Sequence, residues 1–304
     1  KEFARLMQSK EVADAECAVN HGTALVNSWA ATREEACSPE PGAPDHARSV
    51  MYTHSYQAPG HRNFGTFVSE WANVLFGPSF QQLNAPGGTR AACSMSVPGA
   101  LNKPAKVTHD WAFRSAKDFF KQIPANEVAA ACAPGSQTVV EHPVMMVWRT
   151  DTTNAFHTME DLMTYFMALA VLKDSTILQQ PIQVVLVDDK TLGYYPELWQ
   201  RLSHPHPVRF LKDDPYPAGT CFRRAIVASS RPSFLEFEVL MGSPASCKSA
   251  VHAAMSAWLQ RELFPELFAT QPRPFPVELQ GGIITSTITW ISRRNYEAMA
   301  AGRF

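Results

Sequence analysis

The sequence predicts an α/β protein, a parallel sheet wrapped by helices. Three observations carry that expectation. From Glu141 onward, short apolar runs alternate with helical stretches in the order strand, helix, strand, helix, strand. Two of those runs, residues 144–148 (VMMVW) and 183–187 (QVVLV), are continuous enough to be buried strands. The chain is also 45% hydrophobic and only 18% charged, the profile of a folded globular protein.

In chain order, residues 1–29 read as moderately helical, with few breakers before His21 and Gly22. Residues 32–44 are a loop that Cys37 could tie down. Residues 49–56 (SVMYTHSY) have the β-branched and aromatic content of a strand. His54 and His61 bracket a glycine-containing loop. Residues 67–76 (FVSEWANVLF) read as an amphipathic helix, and residues 111–123 (WAFRSAKDFFKQI) as another short one. Between them, residues 80–100 are rich in Gly, Pro and Ser and read as irregular. Residues 1–140 thus form an expected elaboration of mixed helix and loop ahead of the sheet domain.

The sheet domain is expected over residues 141–268. Its organising stretch is residues 150–172 (TDTTNAFHTMEDLMTYFMALAVL), an N-capped helix. Asp151, Thr152 and Asn154 are cap candidates, because their side-chain oxygens can accept the unpaired N–H groups of a first turn. Phe156, Met159, Met163, Phe166 and Leu169 recur at helical spacing and predict one buried face. His157 and Asp161 are four apart and project from one side. An imidazole beside a carboxylate at a helix start can act as a general base or a phosphate ligand. The plainer reading is a local hydrogen bond. Pro181 ends this unit, and the strand after it stops at Asp188 and Asp189. A helix at 195–202, strands at 208–211 and 221–227, and a helix at 249–267 with Met255, Trp258, Leu259 and Leu263 on one side complete it. Ligands of such sheets sit at the C-terminal ends of the strands, where Asp188 and the loop before His157 both lie. Residues 269–280 are a proline-rich linker. Residues 281–304 open with Gly281–Gly282 and a strong strand, 283–291 (IITSTITWI), that ends in Ser292-Arg293-Arg294. They look like the start of a second domain that is cut off.

A net charge of −1 argues against a nucleic-acid partner. The longest apolar run, 162–172, is too short for a span of about 20 residues. Membrane attachment is therefore expected only through an anchor outside this chain. There is no secretory signal in the opening KEFARLMQSKE, and a start on Lys1 points to processing or to a preceding segment. The cysteines are 6, scattered, with no CxxC pair or Cys/His cluster, so no metal site is expected. Disulfides in an oxidising compartment are the expectation, against free thiols in a cytosolic protein.

Several pieces, in this order, resemble the family-61 glycosyltransferases. The similarity is greatest to the plant-type β-1,2-xylosyltransferases that modify N-glycans, whose relatives include lumenal O-GlcNAc transferases. The pieces are Asn154 with Phe156-His157-Thr158-Met159-Glu160-Asp161, the apolar strand ending at Asp188, Cys221-Phe222-Arg223-Arg224-Ala225-Ile226, a following Cys247, and Ile291-Ser292-Arg293-Arg294-Asn295-Tyr296. The resemblance covers residues 148–304. It departs where the family continues into most of a nucleotide-binding domain, of which Arg303-Phe304 would be only the beginning.

The resemblance implies a GT-B architecture of two Rossmann-like domains, the second only begun here. It implies an inverting, metal-independent transfer of a xylose or N-acetylglucosamine type sugar from a UDP-sugar to a glycan or protein hydroxyl, in the Golgi or ER lumen or elsewhere in the secretory route. No cofactor is needed beyond the UDP-sugar donor. His157, steered by Asp161, is the expected base. Arg293 and then Arg294 are the expected diphosphate ligands, and Asn154 and Asp188 are candidate substrate-binding residues. The family pattern pairs Cys221 with Cys247. Arg223 and Arg224, on a strand, are expected to pair with carboxylates. The alternative is a non-catalytic, glycosyltransferase-like module with a structural or binding role; a weaker one is a cytosolic α/β enzyme unrelated to sugars.

Overall fold

A computed structural model describes residues 23–37, 48–56, 64–92 except 84 and 86, 120–149 except 137, 151–228 and 250–263. These residues fall within one compact unit, Lys1–Leu263. The expected linker, the strand at 283–291, Cys247, Arg293 and Arg294 lie outside the described residues.

The described strands join one sheet of 10 strands. They are β1 (Glu34–Cys37), β2 (Ser49–Tyr56), β3 (Phe64–Phe76), β4 (Thr89–Ala91), β5 (Phe120–Gln122), β6 (Val139–Val140), β7 (Val144–Val147), β8 (Gln183–Leu186), β9 (Arg209–Phe210) and β10 (Cys221–Ala228). The main order is β1-β2-β3-β10-β7-β8-β9. The four strands expected between residues 144 and 227 are present, and neighbours among β10, β7, β8 and β9 run parallel. On the other side, β10–β3, β3–β2 and β2–β1 are antiparallel, so the sheet is mixed and not all parallel.

Strand β3 corrects the helix expected over 67–76. Its apolar residues do fall at helical intervals. They do so because β3 is buried on both faces, which removes the polar alternation that marks a strand. Long-range pairing decides the outcome: β3 is registered with β2 from Val50↔Glu70 to Tyr56↔Phe64 and with β10 from Cys221↔Leu75 to Ala228↔Val68. Residues 34–37, expected as loop, extend the edge as β1 by pairing with β2. Residues 120–122, expected as helix, are β5, parallel to β4. Within the stretch expected to be irregular, Phe80–Leu83 is helical and β4 pairs with β3.

The helices are α1 (Thr23–Ala30), α2 (Phe80–Leu83), α3 (Ala125–Ala131), α4 (Ala155–Val171), α5 (Pro196–Ser203) and α6 (Ala250–Leu263), with a 3₁₀ turn at Thr176–Gln179. Helices α1, α4, α5 and α6 share a core with Val50, Val68, Met145, Val147, Val184, Leu186 and Ile226. The alternate residues Met51, Phe67, Val144, Met146, Val185 and Val187 face the opposite cluster. From β7 the chain steps through α4 to β8 and α5 to β9, then returns across the sheet to β10. Leu211 and Tyr216 on that return segment pack in the opposite cluster, as a right-handed connection running backwards requires.

Helix α4 has no Gly or Pro and is rich in Leu, Met and Ala, so its sequence favours the helix. It was expected to bury one face. Instead Leu162, Met163 and every residue from Tyr165 to Leu172 are buried, because α1, α6 and the sheet enclose it. Trp258 of α6 lies against both Tyr165 and Phe166, and Trp199 of α5 meets Tyr165 edge-on.

Cys221 forms a disulfide with Cys132, not with Cys247 as expected. Cys132 closes the end of α3, and the short chain from there to β6 lays Val139 parallel beside Cys221. The two sulfurs meet in a small core with Leu75, Ile123 and Val128. No cysteine among the described residues is free.

Candidate functional site

The site is built at the edge where the parallel strands end. Strands β7 and β8 are in register from Val144↔Gln183 to Val147↔Leu186, so two residues further on Arg149 meets Asp188. Asp188 Oδ2 accepts from the Arg149 backbone N–H at 3.1 Å and from Nε at 2.9 Å. Its Oδ1 accepts from Arg149 Nη2 at 2.7 Å and from the Lys190 N–H at 3.0 Å. A carboxylate offers about four lone-pair sites, and the protein itself engages all of them. Both residues are buried. Asp188, a candidate substrate ligand in the sequence, is engaged by the protein's own donors. Arg149 also donates Nη1 to the Leu192 carbonyl at 2.9 Å and lies over the Phe210 ring.

Beside this pair the chain enters α4. Asp151 makes a turn ahead of the helix, its Oδ1 accepting from the Thr153 N–H at 2.8 Å and hydroxyl at 2.7 Å. Burial raises the Asp151 pKa, but those two hydrogen bonds and the charges of His157 and Lys190 outweigh it, and the net shift is downward. Asn154 stands at the helix start, where its carbonyl accepts from the Thr158 N–H. One turn in, His157 Nδ1 pairs with Glu160. The His157 side chain keeps 27% of its surface exposed while Glu160 keeps 6%. A carboxylate on Nδ1 makes that nitrogen the donor of a neutral ring and leaves the basic lone pair on Nε2. Asp161, the partner expected from spacing, is buried at 2% exposure. Glu160 occupies the i+3 position on the same side, and its carboxylate meets His157 Nδ1.

The third part is the loop 188–195 between β8 and α5. Thr191 Oγ1 lies 3.2 Å from Thr152 Oγ1. Gly193 has φ 73° and packs so closely that a Cβ would stand 2.5 Å from the Thr152 Cβ. Tyr195 takes φ 57°, which a bulky residue adopts only under constraint. Leu192, Tyr194 and Tyr195 are exposed, and the two tyrosine rings lie 6.3 Å apart. Lys212 Nζ donates to the Asp189 carbonyl from the β9 side.

Arg223 and Arg224 pair with carboxylates, as the sequence predicts. Arg223 reaches Glu141 at 3.2 Å and Asn73 at 3.1 Å, and Arg224 reaches buried Glu70, which also accepts from the Ser175 hydroxyl. Among the described residues, no cluster of three or more His, Cys, Asp and Glu could hold a metal ion, and no helix is long and apolar enough to cross a membrane.

Sequence reasoning missed Arg149, Glu160 and the tyrosine loop. The signal for Arg149 was available: two apolar strands ending in opposite charges, joined by one helix, become neighbours in a parallel sheet. No protein-family model matches the chain, and no curated protein matches it.

Proposed function

We propose that the protein is an inverting, metal-independent glycosyltransferase that moves a sugar of the xylose or N-acetylglucosamine type from a UDP-sugar to a glycan or protein hydroxyl. The observation that carries the reading is His157. It stands at the strand-end edge of the sheet, partly exposed, with a buried carboxylate on Nδ1. That is the arrangement a general base requires: Glu160 orients the ring and stabilises the imidazolium that forms. In the reaction, the acceptor hydroxyl gives its proton to Nε2 as its oxygen attacks the anomeric carbon. The bond from that carbon to the diphosphate breaks, and UDP leaves with the electron pair. Fixed guanidinium groups would neutralise the departing charge, a role we assign to Arg293 and Arg294. The mixed α/β sheet is compatible with the first Rossmann-like domain of a GT-B enzyme, and the Cys132–Cys221 disulfide favours an oxidising lumen, Golgi or ER.

The test is UDP release from UDP-xylose and UDP-N-acetylglucosamine with an N-glycan acceptor, using the full native polypeptide. His157→Ala is expected to lower kcat by about 10²–10⁴-fold, and His157→Gln, which keeps a hydrogen-bonding group beside buried Glu160, should lower it as much with a smaller change in Tm. Glu160→Gln should lower kcat with little change in donor KM, because it acts through the base. Full activity in His157→Ala would remove the base assignment. A wild-type protein that neither binds UDP nor releases it would overturn the transferase reading.

A further inference from the structure

We propose that Tyr194 and Tyr195 form a stacking platform for a sugar ring of the acceptor glycan, an inference that rests on the transferase reading above. Among the described residues, the large hydrophobic side chains that stay exposed are Leu192, Tyr194 and Tyr195, all on one loop. Aromatic rings in a slack loop would mean little, but this loop is tied down at several points. Arg149 holds the Leu192 carbonyl, Asp188 holds the Lys190 N–H, and Thr191 and Gly193 pack on Thr152. Tyr195 keeps a left-handed backbone immediately before Pro196 opens α5. Such a conformation persists only where the surroundings impose it, and here it sets the direction of an exposed ring.

The chemistry of the patch favours a carbohydrate. A pyranose offers a face of C–H groups carrying partial positive charge, and the face of an aromatic ring is negative. Two rings tilted by 47° give a sugar two such faces. Exposed Asp189 and Thr191 on the same loop add hydrogen-bonding groups for hydroxyls. The position also fits. The loop packs on Thr152, three residues before α4 begins, and Lys190 lies within electrostatic reach of Asp151, as His157 does.

The test is titration of the full chain with a biantennary N-glycan, in parallel with UDP. The variants are Tyr194→Ala and Tyr195→Asn, the second chosen because Asn tolerates a left-handed backbone. Each should weaken glycan binding about tenfold or more while UDP affinity and Tm stay unchanged. Tyr194→Phe should retain binding, since stacking needs the ring and not the hydroxyl. Unchanged glycan affinity in the double variant overturns the platform, as does a wild-type chain that binds no glycan. A fall in UDP affinity overturns it in favour of a nucleobase platform. A wild-type chain that binds glycan through these tyrosines yet transfers no sugar leaves the platform standing and removes the transferase reading.

Discussion

Asp188 carries a charge that the fold buries, and it survives there because Arg149 satisfies it from both backbone and side chain. Removing one partner leaves the other charge buried and uncompensated, which costs about 3–5 kcal/mol. Asp188→Ala and Arg149→Leu should therefore each lower the midpoint of urea unfolding sharply. The double substitution should be less harmful than the sum, because neither charge is then left alone. Additive losses would contradict a direct pair. The sequence marked Asp188 as the end of a strand, but its partner lies in another strand and is found only through register. At the far end of the same strands, His142 and His206 stack with ring centroids 3.7 Å apart. Burial, then the charge of His142, hold the His206 pKa below its ordinary value of 6.5. The unfolded chain takes up the proton more readily. This contribution to stability is complete above about pH 6.5 and is lost as pH falls through the lower folded value. Tm should thus rise as pH is raised toward about 6.5, and His206→Asn should flatten that rise. An identical slope in the variant would assign the pH dependence elsewhere.

The elements of the parallel half were legible because each carries its own local signal. Strands β7 and β8 are continuous apolar runs, and α4 follows a run of cap residues with helix formers and no breaker. Strand β3 was not legible, because its identity comes from partners on both sides. The disulfide failed in a related way. A family pattern supplied a second cysteine downstream, whereas α3 and β6 bring Cys132 to Cys221 from upstream. Peptide mapping without reduction should recover Cys132 linked to Cys221, and a Cys221–Cys247 peptide would refute the pairing. The bridge spans a separation of 89 residues. Its removal by Cys132→Ser with Cys221→Ser should destabilise the protein by roughly 2–5 kcal/mol, read as a fall in Tm.

At the scale of the molecule, the sheet runs through the boundary expected near residue 140. Strand β10 is the hub, parallel to β6 and β7 on one edge and antiparallel to β3 on the other. The site depends on that hub only indirectly: β7, which leads to Arg149 and on to His157, is held between β10 and β8. Deleting residues 1–140 would strip β3 from β10, exposing its polar backbone edge along with Ala225, Ile226 and Val227, all now buried. It would also remove α1, whose Leu25, Val26 and Trp29 cover part of the α4 core. Fully burying one large apolar side chain is worth about 1.5–3 kcal/mol, and whole domains are stable by only about 5–15 kcal/mol. The three α1 residues alone therefore approach the total. A protein beginning at residue 141 should show no cooperative thermal transition and should aggregate through the opened edge. A sharp calorimetric transition in that fragment, with His157 still supporting activity, would mean that the parallel half folds alone and that β1 to β3 are an addition to it.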